Sequence, residues 1–370
     1  MISFEPDDEQ KMLRETLENF STNVIRKAAH DCEEKGEVPE DLVKKGWELG
    51  LIMSNIPETC GGAGMKRSAV TGAIAVEALA WGDLSIAINI LSPALVAYPI
   101  LESGTEEQKQ KYLPQFCSDA FKPATVALVE PRMFFDASQL TTKAVREGDE
   151  YVLNGDKCLV PLANKADLFL VFAATTQGIG LAGVDGFIIE KDTYGIEIKE
   201  KEKNMGLKAL ETFEVSLSDC HIPIANKLGG DEKGGTFLRF LNRSRVALAA
   251  AGTGMGRAAL EYSLNYAKER VAFGEPIASR QAIAFMLAEM AIEVDATRLL
   301  AWEAAWKIDR SEDCSKEAYL AKKYAQDMVL MVADRSVQIL GGHGYIREHP
   351  VEMYLRNGRG FTTFEGLLMV

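Results

Sequence analysis

Ala124-Thr125-Val126-Ala127-Leu128-Val129 is an uninterrupted apolar run of strand length, and it marks a change of period in the chain. Before it, apolar residues recur at helical spacing; after it come short runs rich in β-branched and aromatic residues, separated by turn formers. Tyr151-Val152-Leu153 and Cys158-Leu159-Val160 flank Asn154-Gly155, a dipeptide suited to tight two-residue turns, so the spacing predicts a hairpin there. Further strands are expected at Asp167 to Ala173, Gly186 to Glu190, Ile196 to Lys199 and Phe213 to Leu217. Residues 121–230 therefore read as a mostly antiparallel β unit.

Working outward, Leu13, Leu17, Phe20 and Val24 repeat at helical spacing behind the acidic first turn Asp7-Asp8-Glu9. Leu42, Trp47 and Leu51 continue a helical pattern from Pro39 to Pro57, and the glycine-rich Cys60-Gly61-Gly62-Ala63-Gly64 follows. From Ala69 to Leu101 the chain is almost wholly apolar, broken at Gly82 and Pro93, as helices buried on most sides are. Beyond the β unit the helical pattern resumes at Gly234, with long helices expected at Arg245 to Glu269, Gln281 to Trp306 and Glu317 to Leu340. Ile283, Leu287, Met290 and Val294 lie on one stripe, and long helices with such stripes assemble as a bundle. Helices, then sheet, then helices is an α+β layout: a helical domain over 1–120, a β domain over 121–230 and a helical bundle over 231–370.

At 370 residues the chain exceeds what one simple core organises. Its 41 Lys plus Arg against 54 Asp plus Glu leave a net charge of -13, which argues against a nucleic-acid binder, since phosphate contacts need a basic face. A few arginines in a cleft still suffice for a small anion. Cys32, Cys60, Cys117, Cys158, Cys220 and Cys314 show no C-x-x-C spacing and read as reduced thiols. Met1 leads directly into acidic residues without a basic or apolar leader, and no apolar run has the length of a bilayer span. A soluble, cytoplasmic protein is expected.

Gly252-Thr253-Gly254-Met255-Gly256 resembles a dinucleotide loop but lacks the third-glycine spacing and a preceding strand, so it reads as small residues that let helices approach. His30, His221, His343 and His349 lack a metal-ligand spacing, and no metal is expected. Three segments carry more. Glu269-Arg270-Val271-Ala272-Phe273-Gly274-Glu275-Pro276-Ile277, with Gln281, sets a cation and an aromatic at a loop before a helix N-terminus, an arrangement for phosphate or for an ordinary helix–helix connection. Gln338-Ile339-Leu340-Gly341-Gly342-His343-Gly344-Tyr345 carries more glycines than a helix cap needs, which lets a ligand or another chain come close. In Phe364-Glu365-Gly366 one carboxylate stands among Phe361, Phe364, Leu367 and Leu368; buried, it suits a general base, and exposed, it is a tail residue.

In this order the segments resemble the acyl-CoA dehydrogenase family, nearest to its medium- and short-chain members, over essentially the whole chain. Ile56-Pro57-Glu58 with Gly61-Gly62, Gly104-Thr105-Glu106-Glu107-Gln108-Lys109 through Tyr112-Leu113-Pro114, Glu130-Pro131, Asn154-Gly155-Asp156-Lys157 and Met205-Gly206 belong to the same resemblance. It implies an N-terminal helical domain, a central β domain and a C-terminal four-helix bundle. It also implies a homotetramer with noncovalent FAD between subunits. Arg270, Phe273 and Gln281 would hold the pyrophosphate and adenine end of FAD, while Gln338, Gly341 and Gly342 would approach the FAD of a neighbouring subunit. Arg245 would lie near the acyl-CoA, with Asn242 standing where an acid is usual. Glu365 would be the catalytic base of an oxidoreductase of fatty-acid metabolism, taking the proton α to the thioester while hydride leaves the β carbon for the flavin. The product would be the 2-enoyl-CoA, and an electron-transfer flavoprotein would take the electrons.

The sequence departs from the family pattern in one region. Val129 replaces a threonine, Arg132-Met133-Phe134-Phe135-Asp136 replaces small residues and a Gly-Ser-Asp turn, Leu159-Val160-Pro161-Leu162 replaces Trp-Ile-Thr-Asn, and Leu367 replaces a threonine. Pro161 has no hydroxyl to give the flavin N5 edge. The expected contacts to the adenine end are thus present and those to the ring absent, with Phe134 and Phe135 placed to fill the ring's volume. Three functions fit this pattern: an active flavoenzyme with an altered ring site; a half-site subunit completing a paralogue's FAD site in a hetero-oligomer; and a flavin-free acyl-CoA-binding homologue.

Overall fold

The Asp7 carboxylate accepts the Gln10 N–H while the Gln10 side chain accepts the Asp7 N–H, a reciprocal cap that starts α1 (Asp8–Phe20). The computed structural model describes residues 5–230 and 235–370, so the expected resumption at Gly234 lies outside the described residues. After α1 the helix continues through one π turn, Ser21–Ile25, into α2 (Arg26–Lys35), which stops where Gly36 turns to φ +72°. α3 (Glu40–Trp47) follows Pro39. The breaks expected in the apolar stretch divide it into α4 (Ala69–Gly82), α5 (Leu84–Leu91) and α6 (Ala94–Ser103). Every residue of α5 is buried, with the Asp83 carboxylate capping its first turn at the Ile86 N–H. α7 (Glu106–Tyr112) closes the N-terminal region with a second reciprocal cap, Thr105 and Gln108.

The middle region is a seven-stranded sheet of β1 (Ala124–Ala127), β2 (Lys143–Glu147), β3 (Glu150–Pro161), β4 (Leu168–Ala174), β5 (Val184–Glu190), β6 (Ile196–Lys201) and β7 (Thr212–Pro223). Its path runs β1-β4-β2-β3-β7-β6, with β5 also on β4. β1 and β2 run parallel to β4 and all the other pairs are antiparallel. The hairpin expected at Asn154-Gly155 is corrected. Both residues lie inside β3, and the turn is Gly148-Asp149, with Gly148 at φ +62° between the paired Glu147 and Glu150. Glycine is needed at 155 for a different reason: a Cβ there would sit 2.6 Å from Thr142 Cα, where the pairing with β7 slips. β2 escaped the periodicity because Ala144 is its one buried residue.

In the C-terminal region α8 (Thr236–Glu269) begins well before Arg245. A two-residue hairpin of β8 (Val271–Ala272) and β9 (Glu275–Pro276) leads to α9 (Gln281–Asp309), α10 (Ser315–Leu340), the short α11 (Gly342–Tyr345) and α12 (Val351–Phe361). α8, α9, α10 and α12 form the bundle, and α4 lies along α8. The glycines inside α8 permit these approaches: a Cβ at Gly254 would meet the Glu77 carbonyl of α4 at 2.3 Å, and one at Gly256 the Met328 sulfur of α10 at 2.6 Å. The α+β fold with helical, β and helical regions in this order is the one the sequence predicts. Among the described residues no single helix is long and apolar enough to cross a membrane; α5 and α6 meet that test only as a pair bent by 46°, and both lie in the core.

Candidate active site

Buried Phe361, Phe364, Leu367 and Leu368 pin the chain after α12 against the bundle. Gly366, at φ +74°, passes so close to Leu128 of the β1 exit that a Cβ would lie 2.8 Å from its methyl. This directs Glu365 between α8 and α10, where Arg245 Nε donates to Oε1 at 2.9 Å and Lys322 Nζ to Oε2 at 2.6 Å. The three side chains are between 11% and 14% exposed. The expectation of a carboxylate in apolar surroundings is corrected: its sequence neighbours are apolar, but its spatial neighbours are two cations. Sequence reasoning assigned Arg245 to the acyl-CoA rather than to Glu365 and missed Lys322, which carries no motif on α10. Arg245 also lies over the Tyr319 ring at 5.3 Å. Nearby, Asn242 Nδ2 donates to Ser315 Oγ at 3.1 Å, while its Oδ1 is buried without a partner among the described residues.

The segment leaving β1 is fastened by a buried ion pair. Glu130 accepts hydrogen bonds from the Thr141 N–H and hydroxyl, the Thr142 N–H and the Lys157 ammonium, the last at 3.1 Å. Burial pushes the Glu130 carboxyl up, but Lys157 and the two threonines outweigh it and hold the group at about 2. Burial dominates for Lys157 and lowers it to about 8 against the pull of Glu130. Between these anchors the loop exposes Met133 (83%) and Phe134 (91%, φ +55°), while Phe135 packs inward beside Arg132. The two phenylalanines therefore separate, and Phe134 points outward rather than into an internal volume. Hydrogen bonds from the Ser138 N–H and hydroxyl lower the Asp136 carboxyl, with the charges of Arg132 and Arg245 adding to the effect.

The end of β3 carries a bulge opposite β7, with Leu159 at φ +53°, and Leu162, just past the strand, is at φ +54°. Its polar groups have protein partners: Leu159 N–H donates to Glu202 Oε1 at 3.2 Å, Pro161 accepts the Thr125 hydroxyl at 2.5 Å, and Leu162 N–H donates to Glu211 O at 2.8 Å. Glu202 Oε2 is buried without a partner among the described residues.

The other predicted residues gather at the far end of the bundle. α8 and α10 run parallel: Arg245 meets Tyr319, the Ser336 hydroxyl reaches the Ala259 carbonyl, and the Tyr266 hydroxyl lies 2.7 Å from His343 Nδ1. Arg270 follows α8 and is exposed, and Gln281 opens α9, also exposed. Phe273 and Gly274 form the β8–β9 turn, with Phe273 at φ +56° and 95% exposed. Gln338, Gly341 and Gly342 are exposed where α10 ends, and a Cβ on either glycine would meet nothing within 4 Å. Gly344 is different, since a Cβ there would lie 2.3 Å from the Val337 carbonyl. His343 and His349 stack at 5.4 Å, each bonded to a tyrosine of α8. From Arg245 to Tyr266, α8 rises about 30 Å, so Glu365 and the exposed Arg270–Gln338 group lie at opposite ends of one subunit.

Comparison with known proteins agrees with this architecture. Family models match along the chain: acyl-CoA dehydrogenase N-terminal domain over residues 7–120, middle domain over 125–220 and C-terminal domain over 234–368. An acyl-CoA dehydrogenase of Bacillus subtilis is 37% identical over 362 residues, covering 97% of this chain and 94% of the relative. The caffeyl-CoA reductase-Etf complex subunit CarC of Acetobacterium woodii is 35% identical over 98% of this chain and 96% of its own length. The solved structure of butyryl-CoA dehydrogenase from Megasphaera elsdenii superposes with a TM-score of 0.89 at 32% identity, covering 98% of this chain and 96% of that one.

Proposed function

This chain belongs to the acyl-CoA dehydrogenase family, and we propose that it is an FAD-dependent oxidoreductase that converts an acyl-CoA thioester to its 2-enoyl-CoA, with Glu365 as the base. The observation that carries this reading is the Glu365 carboxylate itself, held between Arg245 and Lys322. A thioester α-proton is too weakly acidic for a freely solvated carboxylate. Transfer to Glu365 therefore requires an oriented carboxylate, exclusion of water and stabilisation of the charge that develops on the thioester oxygen. When bound, FAD supplies the acceptor for the β-hydride.

The residues fit that cofactor at its ADP end, where exposed Arg270, Phe273, Gln281, Gln338 and the open Gly341-Gly342 backbone suit a pyrophosphate and an adenine. At its ring end they offer apolar cover, Met133, Phe134 and Leu159, in place of hydroxyl donors. An FAD whose ring reaches Glu365 cannot also reach the far end of the same bundle, so the ADP-end groups would come from a second copy. Phe285, Ile292 and Leu299, exposed at seven-residue spacing on α9, offer an apolar face for a further copy, and a homotetramer is the proposed assembly. An electron-transfer flavoprotein is the proposed electron acceptor, in keeping with the Etf-complex relative.

The internally satisfied polar groups of residues 159–162 favour one further reading, a half-site subunit that lends Arg270, Gln281 and Gln338 to a paralogue. Flavin stoichiometry separates the two. One FAD per purified subunit is expected for the enzyme, while a colourless protein that turns yellow only when co-expressed with a paralogue overturns it. Glu365→Gln is expected to keep the flavin and lower turnover by about 10²–10⁴-fold; unchanged turnover removes the base assignment.

A further inference from the structure

Lys322 belongs to none of the motifs that mark the site, yet it makes the shorter of the two bonds to Glu365, 2.6 Å against 2.9 Å for Arg245. The carboxylate lies across two helices, with Oε1 on α8 and Oε2 on α10, so its plane is set by cations on elements that are themselves fixed in the bundle. The two differ in their surroundings. Arg245 and Lys322 are equally buried, 14% and 13% exposed, but Arg245 also packs against the Tyr319 ring, which is itself half-exposed and links it to the surface. The Lys322 ammonium has Glu365 as its one hydrogen-bond partner among the described residues.

We propose that Lys322 is a positioning residue for the reaction, the fixed point about which Glu365 turns from its closed pair with Arg245 to face the substrate α-carbon. This rests on the reading of Glu365 as the base. A carboxylate with both oxygens held by cations is well placed but poorly disposed to take a proton; releasing Arg245 to the thioester ligand frees Oε1 while Lys322 keeps Oε2. The step is a proton transfer only: the α C–H bond breaks, the proton goes to Glu365 Oε1, and its electron pair stays on the thioester. Lys322 gains and loses nothing. Its hydrogen bond keeps the carboxylate oriented between turnovers.

The flavin-loaded protein tests this with butyryl-CoA and two readouts: α-proton exchange with D2O, followed by mass spectrometry, and turnover with an artificial electron acceptor. Lys322→Met is expected to lower both exchange and kcat by about 10- to 100-fold with KM little changed, because a displaced base costs rate rather than binding. Lys322→Arg is expected to restore most of the loss by supplying a cation at the same carboxylate. Rates in Lys322→Met equal to wild type overturn the positioning role and leave Glu365 as the base. A loss that Lys322→Arg does not restore, with KM rising in step, also overturns it, since that is the signature of a purely structural lysine. A wild type that neither exchanges nor turns over, or a Glu365→Gln variant that does both normally, instead overturns the base assignment beneath it.

Discussion

The two ends of the expected cofactor path are built in opposite ways. At the ADP end Arg270, Phe273, Gln281, Gln338, Gly341 and Gly342 are exposed on helix termini and a two-residue turn, and the glycines face open space. At the ring end the segment is held by the protein's own side chains: Glu130 is locked to Lys157, the Leu159 N–H to Glu202, and the Pro161 carbonyl to Thr125. The first end is open surface, while the second is a closed piece of protein with an apolar tip, Met133-Phe134, as its outward face. Such a contrast teaches that affinity and reactivity can sit in different regions: on the proposed reading, charged hydrogen bonds at the ADP end would hold the cofactor, and the geometry around the ring would set what it does.

The largest effect that separates the ends is on stability. Lys157→Met leaves the buried Glu130 without its cation and is expected to cost about 3–5 kcal/mol in urea unfolding, with the Glu130→Gln/Lys157→Met pair recovering much of it. An exposed ADP-end variant should leave unfolding unchanged. The same carboxyl gives a pH signature. Because Glu130 is lowered from 4.5 to about 2 on folding, its contribution is full above 4.5 and is lost as pH falls through about 2. Acid unfolding of Glu130→Gln should lack that component.

Next in size, Arg270→Ala removes the proposed phosphate partner and is expected to weaken FAD binding by about 1.5–3 kcal/mol, measured by flavin fluorescence on titration into apoprotein. If Arg270→Ala binds FAD as tightly as wild type, the ADP end is not where affinity resides. The smallest effect is a gain. Pro161→Thr restores a hydroxyl beside the ring segment and is expected to tighten FAD by about 1 kcal/mol without changing binding of ADP alone. An equal change for both ligands would show that the hydroxyl acts on the fold rather than on the ring.

Legibility in the sequence followed the range of the interactions. The stops at Gly82 and Pro93 divided the apolar stretch into the helices observed, because caps and breakers act within a turn. β2 was missed because only Ala144 along it is buried. Asn154-Gly155 misled because its glycine answers a close approach of Thr142, a contact outside its own strand. Of the site, Glu365, Arg245 and the ADP-end residues lie in recognisable local patterns, whereas Lys322 and Glu202 are brought in by a neighbouring helix and a neighbouring strand.

By itself the sequence determined the fold class, the order of helical, β and helical regions, and the family. Those properties depend on periodicity, caps and motif spacing, all written over short spans of chain. Only the tertiary structure decided that Glu365 lies between two cations, that Phe134 turns out while Phe135 turns in, and that Glu365 and the exposed Arg270–Gln338 group sit at opposite ends of parallel helices. The reason is physical: where a charge finds its counter-charge is set by which helices become neighbours, and that depends on how the whole core closes.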